Sequence, residues 1–304
     1  MIKTVTVINH LNEKLVLDLM RPEKSGFVVK KIDGLGPVKA NINTVEVSTR
    51  DGSSFNSARS NQRNIVIYLK YLFQNSIEDT RQKSYKYFPV KKPISLIFET
   101  DNRTLGIEGY VESNEPDIFS NASGGQISII CPYPHFYSAK YDGSNTVTFY
   151  GVESLFGFPF SNESATESSI EFGSLENHSE QNIPYSGDVD NGITIVMRAI
   201  GDVEHVTIHN TGTRESMVID TDKLEQLTGS KIITGDEITI CTVEGHKSIT
   251  LLRDGVYTNI LNCLSRDSDW FQLSKGDNMF AYVAESGGTN LQFMITYNVL
   301  YEGV

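Results

Sequence analysis

Short runs of alternating apolar and polar residues recur along this chain, and they leave room for little besides β-sheet. Residues 3–8 (Lys-Thr-Val-Thr-Val-Ile) and 14–19 alternate with the two-residue period that puts every second side chain on one face. Residues 26–32, 40–48, 94–99, 104–112 and 127–131 repeat the pattern. Between them stand turn formers such as Asp33-Gly34-Leu35-Gly36-Pro37 and Asp101-Asn102-Arg103. The stretch 64–73 is β-branched and aromatic, which favours a well-buried strand over a helix. One helix is expected, over residues 76–87: Ser76 can cap it, Glu78 and Asp79 suit its first turn, and Pro89 stops it. Its aromatic residues are expected on the sheet and its lysines in water.

The chain has 304 residues, long for one core and comfortable for two. Cys131-Pro132-Tyr133-Pro134 reads as the exit of a first domain, because two prolines so close forbid regular pairing. Charge changes there as well. Residues 1–140 carry 18 Lys and Arg against 14 Asp and Glu, whereas the remainder carries 8 against 24. The expected domains are therefore 1–140 and 141–304. The second holds strand patterns at 145–150, 168–172, 192–199, 203–209, 215–219, 237–242, 248–252 and 291–301, with 161–190 read as an extended polar loop. Many short strands at this spacing imply a sandwich or jelly roll. The fold class is mainly β: a β-rich first domain with one α-helix, then a β-sandwich.

Candidate chemistry fails on spacing. Three cysteines (Cys131, Cys241, Cys263) are odd in number, far apart and without a CxxC, so they read as buried reduced thiols. His205 and His209 would lie roughly 13 Å apart on a strand, too far for one metal ion. Glu99 and Glu108 form the most plausible carboxylate pair, but 38 acidic residues make accidental pairs common. There is no G-x-S-x-G elbow and no P-loop, and Pro37 spoils Gly34-Leu35-Gly36 as a dinucleotide cradle. The basic and aromatic segment 81–92 reads as the helix packing on its sheet. Tyr150, Phe156, Phe158 and Phe160 read as core, leaving the run Asp269-Trp270-Phe271 as the best candidate for an exposed exception, with Trp270 as the sugar contact. No catalytic residue, metal or cofactor is expected. No window is apolar enough for a membrane helix and the N-terminus makes a poor signal peptide, so assembly in a cytoplasm is expected.

Three segments in order carry a resemblance: Gly34-Leu35-Gly36-Pro37-Val38-Lys39-Ala40, Asp51-Gly52-Ser53-Ser54-Phe55, and Arg63-Asn64-Ile65-Val66. Together with Gly235 to Ile240, Lys247 to Gly255 and Asp269 to Asn278, they resemble the distal tail (Dit) proteins of siphophages. The resemblance implies a structural, non-enzymatic virion protein at the tip of a long non-contractile tail. It implies a homo-hexameric ring through which DNA passes without specific binding. A galectin-like sandwich would project from that ring, with the tail tube protein, the hub protein and receptor-binding proteins as partners. The alternative is a carbohydrate-binding adhesion module acting through the sandwich. Gly34, Gly36, Pro37, Asp51, Arg59 and Arg63 are the expected ring-interface residues, being polar or glycine-rich and read as outside the core.

Overall fold

The computed structural model describes residues 1–46, 48–49, 51–73, 76–119, 123–139, 144–148, 150–153, 174–177 and 180–304. It divides into two compact units, residues 1–143 with 300–304, and residues 144–299. The strand expected at 168–172, the residues Phe156, Phe158, Phe160 and His178, and Arg50 lie outside the described residues.

The first unit contains strands β1 (Ile2–Ile8), β2 (Lys14–Asp18), β3 (Phe27–Asp33), β4 (Ala40–Glu46), β5 (Ser53–Ser60) and β6 (Arg63–Tyr71). Helix α1 (Ile77–Tyr87) follows, then β7 (Pro93–Thr100), β8 (Thr104–Asp117), β9 (Gly124–Cys131) and β10 (Phe136–Ser138). The unit's antiparallel sheet has nine strands, seven of them in the order β2-β1-β7-β8-β9-β6-β3, with β10 pairing off this path to β8 and to residues 300–301. The alternation seen in the sequence is what builds it. In β6, Arg63, Ile65, Ile67, Leu69 and Tyr71 point inward while their neighbours face out. Leu17 from one edge strand and Phe27 from the other belong to the same buried cluster as Val5, Ile67, Leu96, Phe98 and Ile129, so the sheet curls around a single core.

Helix α1 begins where capping predicts, with the Asp79 amide donating to Ser76 Oγ at 2.9 Å. Its contact side meets expectation only in part: Tyr87 packs on the core, but Thr80 and Ser84 are the buried residues, Tyr85 is exposed, and Lys83 donates to the Ser25 carbonyl at 2.8 Å. The apolar anchor is Phe88, just beyond the last turn and fully buried.

The second unit runs through β11 (Ser144–Thr148), β12 (Tyr150–Glu153), β13 (Ser174–Asn177), β14 (Glu180–Tyr185), β15 (Asn191–Gly192), β16 (Thr194–Ala199), β17 (Glu204–Asn210) and β18 (Glu215–Ile219). After helix α2 (Thr221–Thr228) come β19 (Glu237–Cys241), β20 (Ser248–Arg253), β21 (Val256–Asn259), β22 (Gln272–Leu273), β23 (Gly276–Ser286) and β24 (Leu291–Asn298). A six-stranded sheet, β11-β24-β16-β19-β20-β21, faces a four-stranded one, β14-β23-β17-β18. Aromatic pairs join the two: Tyr282 of β23 stacks on Phe293 of β24 at 4.1 Å, and Tyr185 of β14 lies 6.1 Å from Tyr297 of β24. The sandwich expected from the strand spacing is present. Strands β13 and β14 fall within the stretch read as a polar loop, and α2 was not anticipated. Asp220 caps α2 by accepting from the Asp222 and Lys223 amides, and Gly229 ends it at φ 86°. Among the described residues, no helix is long and apolar enough to cross a membrane.

The run read as one strand at 291–301 is two. Strand β24 ends at Asn298, and β25 (Leu300–Tyr301) pairs with β10 in the first unit. The second unit is thus an insertion between two strands of the first.

Within the second unit, Arg253 clasps the buried Asp236 through two hydrogen bonds of 2.6 and 2.8 Å, and also reaches Thr228, Ser230 and the Lys231 carbonyl. Removing one partner of such a pair strands a buried charge, at a cost of about 3–5 kcal/mol. Trp270 is the only tryptophan and lies in this unit, so its fluorescence reports on this unit. Asp236→Ala is expected to move the fluorescence-detected urea midpoint sharply downward; an unchanged midpoint would refute the role given to this pair.

Candidate functional site

Strands β4 and β5 form a hairpin that, among the described residues, pairs with no other strand. Its register runs from Ala40 opposite Ser60 to Glu46 opposite Ser53, with an irregularity at Asn43/Thr44. Every residue of β4 is exposed, and in β5 only Ser54 is even partly covered. Ile42 is 60% exposed, Val45 54% and Phe55 68%. Cross-strand pairing sets Phe55 opposite Thr44 and Ile42 opposite Ala58, so the two large apolar side chains share a face. A two-stranded hairpin without a core of its own is marginal in water, and apolar residues along its length make it a surface awaiting cover.

The root of this arm is rigid. Arg63 opens β6 directly after the hairpin and is only 2% exposed. Its guanidinium donates to four backbone carbonyls: Pro134 from Nε at 2.6 Å, Gly34 and Gly36 from Nη1 at 2.5 and 2.6 Å, and Glu302 from Nη2 at 2.6 Å. The ring of Phe136 lies 4.5 Å from it, within cation–π range. Four carbonyl dipoles, and no hydrogen-bonded carboxylate among the described residues, surround it; burial pulls its pKa below the ordinary guanidinium value, partly offset by the nearby charges of Cys131 and Glu302. The same burial raises the Cys131 thiol to about 11, partly offset by the arginine's charge, and with Arg63 it lowers the His135 pKa.

Gly34 shows why this turn needs glycine. Its φ is +86°, and a Cβ there would lie 2.0 Å from the Asn64 carbonyl oxygen. Nothing approaches a Cβ built at Gly36, so that position is not sterically constrained.

Of the expected interface residues, Gly34, Gly36 and Pro37 are exposed at the arm's root, Arg59 is exposed on β5, and Asp51 is exposed in the loop between β4 and β5. Arg63 is a correction. It is a core residue whose donors are engaged with its own unit's carbonyls, so its side chain is not available to a neighbour. The polar segment 51–63 is mostly strand β5. Pairing with β4 sustains it in the absence of burial. The residues that sequence reasoning passed over are Ile42, Val45 and Phe55, for which the available signal was apolar side chains scattered in an otherwise polar stretch.

Elsewhere the expected chemistry is not brought together. Glu99 stands opposite Thr104 and Glu108 opposite Ser95 in the β7–β8 ladder, four register positions apart. That is roughly 13 Å, beyond the separations of glycosidase carboxylates. Phe271 is fully buried. Trp270 is half-buried, with the Lys247 ammonium 5.3 Å from its ring centroid, and Asp269 is held to β18 through the backbone of Ser216.

Two outcomes test the root. Removing Arg63 leaves buried carbonyls unpaired, so Arg63→Ala should destabilise the first unit by about 3 kcal/mol or more, read by circular dichroism in urea. At pH 8 a thiol with a pKa near 11 is ionised roughly one part in a thousand. Half-buried Cys241 should therefore react with a maleimide well before Cys131, and equal rates would contradict the packing described.

Residues 186–301 match the family model described as the Siphovirus-type tail component, C-terminal domain. Among solved structures, the chain is similar to the Dit protein of phage SPP1, described as a paradigm of the hub adsorption apparatus in phages infecting Gram-positive bacteria. The TM-score is 0.63 at 10% identity, covering 97% of this chain and 98% of that one. It is also similar to a chain of the phage P2 baseplate in its activated conformation with calcium, with a TM-score of 0.47 at 10% identity, covering 97% and 98%. No curated protein matches the sequence.

Proposed function

We propose that this chain, which carries a siphovirus-type tail-component domain in its second unit and has the fold of a Dit protein along its length, is a structural component of a phage tail. In this reading it acts in the virion as the distal tail protein. Its first units associate side by side into a closed hexameric ring, joined on one side to the tail tube and on the other to the hub. The second unit is a platform for receptor-binding proteins.

The observation that carries the reading is the exposed arm. A folded chain has no reason to hold Ile42, Val45 and Phe55 in water on an unsupported hairpin unless another surface covers them. Burying what each still exposes would contribute about 1–2 kcal/mol. Repeated at every contact of a closed ring, this is enough to make assembly depend on the arm. Open sheet edges at β2 and β3 add to the case, because unpaired strand edges need a partner or a guard.

Negative-stain microscopy of the purified chain should show six-fold rings. Phe55→Asp should give monomers in light scattering with the circular dichroism spectrum unchanged, since the residue touches little of its own unit. A wild-type chain that stays monomeric at micromolar concentration would refute the ring. Arg59→Glu tests the arm's polar side in the same assay, whereas Arg63→Glu would report only on folding.

A further inference from the structure

Residues 300–304 rejoin the first unit and run to the root of the arm. Leu300 and Tyr301 pair with Tyr137 and Phe136, Leu300 is buried, and the Arg103 guanidinium lies 4.8 Å from the Tyr301 ring. The next three residues all reach the turn that launches β4. The Glu302 carbonyl accepts from Nη2 of Arg63, a residue 239 positions earlier, whose Nη1 binds the Gly34 and Gly36 carbonyls. The Val304 amide donates to the Leu35 carbonyl at 3.1 Å. Between them Gly303 passes so close that a Cβ there would stand 2.9 Å from the Leu35 carbonyl oxygen and 3.4 Å from the Gly36 Cα.

We propose that residues 302–304 are a latch that sets the arm, and that the latch closes only once the second unit has folded. While residues 144–299 are unfolded, the latch can reach the turn only by closing a loop of that whole length. The entropy cost of closure grows with the logarithm of loop length. Against it stand two paired residues and two hydrogen bonds, each of small net worth. Folding of the second unit removes the cost, because β11 and β24 set Ser144 opposite Asn298 and so hold the two ends of the loop together. The order matters during synthesis. Strands β4, β5 and β6 are made long before residue 302, and domains ordinarily fold as they emerge. A hairpin fixed that early would offer Ile42, Val45 and Phe55 to any neighbour while the second unit was still missing. The latch defers this, so that the arm takes its set on a chain whose second unit is complete. The consequence for assembly, rings built from such chains alone, rests on the ring reading above; the latch itself is a property of a single chain.

The test uses the full chain carrying Phe55→Asp, so that the root is read whether or not the wild type forms rings. A brief trypsin pulse probes the Lys39–Ala40 bond, just beyond the turn, with the cut located by mass spectrometry. Gly303→Val must displace the Leu35 carbonyl and should raise the cleavage rate about tenfold, the change expected when two hydrogen bonds are lost. Stopping the chain after Val299 should raise it at least as much. Equal cleavage of the parent and Gly303→Val would overturn the latch, whether both are protected or both are cut. With Asp236→Ala added, Lys39 should become cleavable through the same urea transition that Trp270 fluorescence reports. Protection that persists beyond that transition would overturn the dependence on the second unit. In chains with Phe55 intact, rings as abundant for Gly303→Val as for the wild type would overturn the consequence for assembly. A wild type without rings would remove the ring reading and leave the latch standing on the cleavage rates.

Discussion

The guanidinium of Arg63 is the point on which the first unit is hung. It gathers carbonyls from three separate stretches: the turn that launches the arm, the proline segment that leads out of the unit, and the final residues of the chain. Each stretch has backbone acceptors that no sheet neighbour satisfies, and a planar five-donor group can reach all of them at once. Lysine at this position would be a poor replacement, because one ammonium on a flexible stem cannot span carbonyls arranged around a plane. Among the described residues no carboxylate hydrogen-bonds to this guanidinium, and that is informative. A carboxylate would take two donors and leave some of the three stretches unbound.

The second unit solves the same problem with different chemistry. Arg253 there has a buried acid, Asp236, and spends its other donors on the segment following α2. Both arginines tie irregular chain to regular sheet. In each unit the large apolar side chains fill the interior, while one arginine fixes the places where strand periodicity gives out. Loops held this way are set in position without a core of their own.

Much of this was legible in the sequence. Alternation marks strands such as β1 and β6, and the Ser76 cap with its following acids marks α1. These are local rules, and the residues obey them. What escaped has one common cause: it depends on partners remote in sequence. Residues 53–60 are too polar to look like a strand, and they are one because β4 lies beside them. Residues 291–301 look like a single strand, yet the chain changes units between Asn298 and Leu300, and nothing in the alternation marks the crossing. Arg63 looked like surface because arginine usually is, and only the convergence of Gly34, Gly36, Pro134 and Glu302 explains its burial. Helix α2 is the exception, since Asp220 and Gly229 are ordinary local signals that stood in plain view.

The return of residues 300–304 to the first unit has a mechanical consequence. Because β25 pairs with β10, the outgoing and incoming chains start from neighbouring, hydrogen-bonded strands. A load applied to the sandwich, as when a tail particle is tethered to a surface, is divided between two covalent connections. It pulls along both strands together and does not peel one from the other. Strands loaded in that sense give way only when several hydrogen bonds fail at once. The insertion therefore makes the sandwich a doubly anchored handle on the first unit's sheet.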